Sequence, residues 1–131
     1  MIGIDTNILV RFLVGDNTRQ ANRVYKLFKK AEEAKTEFFV PSLVVLELIW
    51  VLESAYEIDR SDIIDSISQL ILMPIFEFEN LSAIQKFVVE AQESKFDLSD
   101  LLIAQTANAN GCEKVLTFDK KASKYKLFDL L

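Results

Sequence analysis

The chain has 131 residues, half of them apolar, with 15 Lys and Arg against 20 Asp and Glu and a formal net charge of −5 at pH 7. Ten Phe against three Gly and two Pro mark a chain with enough apolar substance for one folded domain spanning 1–131, not a disordered or linker-rich one. It holds no His and one Cys, which excludes a Ser-His-Asp triad, a Cys-His pair, an HExxH metal site and any multi-cysteine zinc site or internal disulfide framework.

In chain order, "MIGID" predicts a short buried strand ending at Asp5, and "TNILVRFLVG" a helix that stops near Gly15. "DNTRQANRVYKLFKKAEEAK" carries Ala21, Val24, Leu27, Phe28 and Ala31 at helical spacing, with Arg19, Arg23, Lys26, Lys29 and Lys30 on the other side. "EFFVP" predicts a strand closed by Pro41. Ser42 is expected as the N-cap of the helix "LVVLELIWVLESAYE". "DRSDIIDSISQLILM" predicts a further helix opened by Asp59 or Ser61, and "PIFEF" a strand. Helices follow from Asn80 and from Asp97, the latter ending at Gly111. "EKVLTF" predicts a strand leading to Asp119, "KKASKY" a helical turn and "KLFDLL" a last short strand. Strands alternating with helices predict an α/β sandwich with a mainly parallel sheet of about five strands.

Asp5 interrupts the opening apolar run, unlike a secretory leader. The longest apolar stretch, Phe38 to Leu52, holds Pro41 and Glu47 and is too short to span a bilayer. A cytoplasmic protein with no membrane contact is the expectation.

Without His, catalysis must come from carboxylates, hydroxyls, amides or lysines, and an oxygen-rich site points to Mg²⁺ or Mn²⁺. In an open parallel sheet, ligands bind beyond the carboxyl ends of the strands. Asp5 and Asp119 are expected there, and Glu47 and Asp100 early in helices that follow loops on the same side. Each acid also has a structural reading. Asp5 and Asp119 fit caps, and Asp97 with Asp100 fits an N-cap and its third-position acid. Glu47 stands inside a very apolar helix, which leaves it on one exposed strip or held in a functional place. Thr6 and Asn7 after Asp5, Ser99 before Asp100 and Thr117 before Asp119 are polar groups able to steady ligating carboxylates or bound waters.

Four segments, "IDTNILVRFL", "PSLVVLELIWVLESAY", "KFDLSDLLIAQTANANGC" and "VLTFDKKASK", resemble in order and spacing the signature segments of PIN-domain ribonucleases, and among them the VapC toxins of toxin–antitoxin pairs. The resemblance implies a three-layer α/β/α fold and Mg²⁺- or Mn²⁺-dependent endonucleolytic cleavage of RNA. By motif it assigns Asp5, Glu47, Asp100 and Asp119 as the metal-holding catalytic acids, with Thr6, Asn7, Asp97, Ser99 and Thr117 in support. It implies a cognate antitoxin partner and a homodimer, for which the first long helix and "IWVLESAY" are the candidate contact faces. The chain departs from the family's usual small residue after the third acid, where Leu101 stands. Lys120, Lys121, Lys124, Lys126 and Arg11 are the candidate cations for RNA approach.

Three other readings exist. A phosphoacceptor domain would need an acidic pair after the first strand and a Lys after the last, which are absent. A catalytically silent PIN-like binding module would not need all four acids. An RNA-processing PIN nuclease outside a toxin–antitoxin pair shares every residue named above.

Overall fold

The structure, a computed structural model, describes residues 1–131, which divide into two compact units, Met1–Glu79 and Asn80–Leu131. The first contains β1 (Ile2–Gly3), α1 (Thr6–Leu13), α2 (Thr18–Ala34), β2 (Phe38–Val40), α3 (Ser42–Ser54), α4 (Arg60–Leu70) and β3 (Phe76–Phe78). Its strands are parallel in the order β1-β2-β3, with Ile2 opposite Phe38 and Phe38 opposite Phe76. Parallel neighbours need long crossovers, and the helices supply them. Leu9 and Val10 of α1 are buried, and so are Val45, Leu48, Ile49 and Leu52 of α3 and Ile63 and Ile67 of α4. Ring contacts link Phe12 to Phe28 at 5.0 Å, Phe28 to Phe76 at 5.2 Å and Phe76 to Phe78 at 5.9 Å. The α2 stripe faces inward through Ala21, Val24, Phe28 and Ala31. Leu27, expected on that stripe, sits at its margin and is exposed.

The second unit contains α5 (Leu81–Glu93), α6 (Leu98–Ala109), β4 (Val115–Thr117), a 3₁₀ turn (Ala122–Lys124) and β5 (Phe128–Leu130). Here α5 packs on α6, burying Ile84, Phe87, Leu98 and Leu101. Leu101, where the resembled family usually has a small residue, is fully buried, so that difference falls in packing. β4 and β5 pair in parallel, Val115 opposite Phe128. The fold is α/β with every strand pairing parallel, as the alternation of elements predicts.

Two local expectations are corrected. Ser42 is the first residue of α3, not its cap; Pro41, extended at φ −62, holds the cap position. The first N–H of that helix start is met from elsewhere: the Ser42 N–H donates to Glu79 Oε1 at 2.8 Å, and the Ser42 hydroxyl donates to the Glu79 carbonyl at 3.2 Å. The first strand is also not buried. β1 lies at one edge of its sheet and Ile2 is 68% exposed. The core contact in this segment comes from Ile4, whose N–H extends the ladder to the Phe39 carbonyl at 3.1 Å.

Candidate active site

Asp5 follows the carboxyl end of β1 and is the N-cap of α1, its side chain accepting from the Ile8 N–H at 3.4 Å. The expected capping reading thus describes its geometry, and the carboxylate itself remains exposed. Thr6, the first residue of α1, is buried, whereas Asn7 is exposed. Glu47 belongs to α3, which packs on α1. Every third or fourth residue of α3 is exposed, giving one strip through Leu43, Glu47, Trp50 and Ser54. This exposed side, not a buried pocket, is where Glu47 resides, and Glu53, the other charge of α3, is exposed as well.

Arg11, a candidate for RNA approach, is committed elsewhere. Its guanidinium donates to Gln20 at 2.5 Å, to Asp16 at 3.1 Å and to the Tyr56 hydroxyl at 3.3 Å. Tyr56 in turn donates to Asp16 at 2.8 Å. The set ties the C-terminal end of α1 to the chain beyond it and leaves Arg11 little freedom to reach a phosphate.

In the second unit, Asp97 caps α6 by accepting from the Asp100 N–H at 3.1 Å. That bond fixes the first turn, from which Asp100 projects, half-buried. Burial raises the Asp100 carboxyl above the usual Asp range, and the charges of Asp97 and Asp119 push it further. Asp119 is ordered by its own turn. Its N–H donates to Thr117 Oγ1 at 3.0 Å, while its Oδ1 accepts from the Lys121 and Ala122 N–H groups at 2.8 and 3.1 Å. Oδ2 stays available. Ser99 lies half-buried in the first turn of α6.

Asp97, Asp100 and Asp119 therefore share one electrostatic neighbourhood, and Asp5 and Glu47 belong to two helices that pack together in the first unit. Within neither unit do three acidic side chains gather tightly enough to cage an ion unaided. The donor chemistry suits a hard divalent cation: the ligands on offer are carboxylate oxygens. Asp100 holds its proton more tightly than usual first because it is partly buried and then because Asp97 and Asp119 repel its charge; the second of these causes is one that a nearby cation offsets. Of the lysine run, Lys126 is paired with Glu90 at 2.9 Å, while Lys120, Lys121 and Lys124 are exposed and unpaired.

The sequence did not single out Glu79, whose partner Ser42 lies 37 residues away, nor the exposure of Trp50 and Phe118. For Trp50 a signal existed: it falls three residues after Glu47, on the same side of the predicted helix.

An α/β fold with parallel strands and acids at strand ends and helix starts is the setting of the PIN domain, and residues 2–127 match that family. The chain belongs to the PIN domain family. It is similar to the VapC ribonuclease of Aquifex aeolicus (strain VF5), 24% identical over 121 residues, covering 92% of this chain and 89% of that protein.

Proposed function

We propose that this chain is a divalent-metal-dependent endoribonuclease and the toxin of a toxin–antitoxin pair. The observation that carries the reading is the PIN domain match over residues 2–127, with the likeness to a VapC ribonuclease spanning nearly both chains in its support. RNA is the substrate, a cognate antitoxin the partner, a homodimer the working form and the cytoplasm the place of action. No helix is long and apolar enough to cross a membrane.

Asp5, Glu47, Asp100 and Asp119 hold Mg²⁺ or Mn²⁺ in this reading. A bound divalent ion supplies charge neutralisation at the phosphate and acidifies water, the two needs of phosphodiester hydrolysis that a chain without His meets poorly by itself. The protein's own part is orientation. The Lys121 and Ala122 N–H groups aim the Asp119 carboxylate, Asp97 fixes the helix turn that carries Asp100, and Thr117 holds the Asp119 backbone. Thr6, Asn7 and Ser99 are the remaining polar supports.

The test is twofold. Adding Mn²⁺ raises the wild-type melting temperature, and Asp100→Asn blunts that rise; an equal rise in the variant would place the ion elsewhere. Asp5→Ala abolishes RNA cleavage at unchanged circular dichroism, whereas retained cleavage would remove Asp5 from the site.

A further inference from the structure

We infer that Gln105 and Tyr125 are positioning residues for the candidate metal site: their buried hydrogen bond holds the turn that carries Asp119 against the helix that carries Asp100, and so governs how tightly the two carboxylates take up a divalent ion. This rests on the metal-dependent reading above.

Gln105 is one of two polar side chains buried in the chain, 3% exposed. It lies among the buried residues of α6 with Leu98, Leu101 and Leu102, where an apolar side chain would need no partner. The partner it has is 20 residues on: the Gln105 Nε2 donates to the Tyr125 hydroxyl at 2.6 Å, and Tyr125 is buried too. The Tyr125 ring packs edge-on against Phe96 at 5.1 Å and tilted against Phe128 at 6.5 Å, so its direction is set by packing. Burial pushes the Tyr125 hydroxyl up to about 12, and its bond to Glu90 adds to the rise. The hydroxyl thus keeps its proton, gives it to Glu90 and accepts from Gln105.

Each end of this bond is tied to one candidate ligand. Gln105 and Asp100 stand on the same helix, five residues and about 7.5 Å of axial rise apart. Asp119 and Tyr125 bracket one hydrogen-bonded turn. The Asp119 Oδ1 accepts from the Lys121 and Ala122 N–H groups, the Asp119 carbonyl accepts from the Ser123 N–H at 3.0 Å, and the Tyr125 N–H donates to the Ala122 carbonyl at 2.9 Å. A shift of Tyr125 therefore carries Asp119 with it. The charges of Asp97 and Asp119 act on Asp100, and that repulsion works to part α6 from the turn. The Gln105–Tyr125 bond opposes the parting from inside the core, where breaking it strands a polar group away from water.

The test is a calorimetric titration with Mn²⁺, at a temperature where every variant is folded, of wild type, Tyr125→Phe, Gln105→Met and the double variant. Both single changes keep the side-chain volume and remove the bond. Each should raise the Kd for Mn²⁺ about tenfold, the lower end of the range for groups that orient metal ligands. The double variant should bind no more weakly than either single one, because both changes remove the same bond. In RNA cleavage the half-maximal Mn²⁺ concentration should rise by the same factor, with kcat at saturating Mn²⁺ near that of wild type. Lower melting temperatures with an unchanged Kd would make the bond merely structural, overturning the positioning role and sparing the ribonuclease reading. A loss of about a hundredfold in the double variant would mean two independent effects and overturn it as well. Wild type that binds no Mn²⁺, or binds it no better than Asp100→Asn does, would overturn the metal assignment and this inference together.

Discussion

Lys35 ends α2 in the left-handed region at φ 56, a conformation that side chains with a Cβ disfavour. The turn exists because it satisfies the helix end: the Lys35 N–H reaches the Glu32 carbonyl at 3.3 Å and the Thr36 N–H the Ala31 carbonyl at 3.0 Å. Glycine would make the same two bonds without the Cβ clash. Lys35→Gly is therefore expected to stabilise the protein by about 0.5–1 kcal/mol, the clash relieved less the added freedom of the unfolded chain. Urea denaturation at constant m-value measures it, and a loss of stability would show that the Lys35 side chain contributes more than its backbone costs. Gly15, at φ 68 between α1 and α2, already has the residue its turn asks for.

At the scale of elements, α5 and the turn before β5 are joined by one ion pair, Glu90 with Lys126, whose acid is shifted. The Lys126 ammonium holds the Glu90 carboxyl below its ordinary value, against burial that would raise it, and the Tyr125 hydroxyl adds to the lowering. A group with a depressed folded pKa stabilises above its unfolded value and loses that contribution as pH falls through the folded one. The melting-temperature advantage of wild type over Glu90→Gln should therefore be full above about pH 4.5 and shrink below it. Since Lys126 is mostly exposed, added salt should narrow the gap too. A gap that ignores pH would mean that Glu90 acts through packing alone. Periodicity made most elements legible: the inward stripe of α2, the strand closed by Pro41 and the cap at Asp97 all follow from local pattern. What it missed was non-local. Nothing near Ser42 says that Glu79 will meet its N–H, so a Ser at a helix start reads as a cap. Nothing within "IGI" says that β1 is an edge strand, so three apolar residues read as buried. The four acids stood out because a chain without His has few other chemical resources, but which oxygens are fixed and which are free depends on turns such as the one after Asp119.

For the whole molecule, a net charge of −5 and a pI near 4.8 set a problem for the proposed binding of a polyanion. Long-range attraction cannot come from the average surface, so under the proposed function it must come from a few local cations and from the divalent ion proposed above. The structure narrows those cations. Arg11 is held by Asp16, Gln20 and Tyr56, and Lys126 is paired with Glu90, which leaves Lys120, Lys121 and Lys124 as the free part of the run beside Asp119. Each phosphate neutralised on a single strand contributes about −0.7 to the slope of log affinity against log salt. Three lysines therefore predict a slope of about −2 at fixed Mg²⁺, far shallower than for a basic nucleic-acid-binding protein. Lys121→Ala should flatten it by about 0.7, while Lys126→Ala and Arg11→Lys should leave it nearly as it is. Fluorescence anisotropy of a labelled single-stranded RNA over a salt series measures the slope. A value near zero would remove the lysines from the binding surface, and a response to Lys126→Ala equal to that of Lys121→Ala would show that the Glu90 pair opens when RNA arrives.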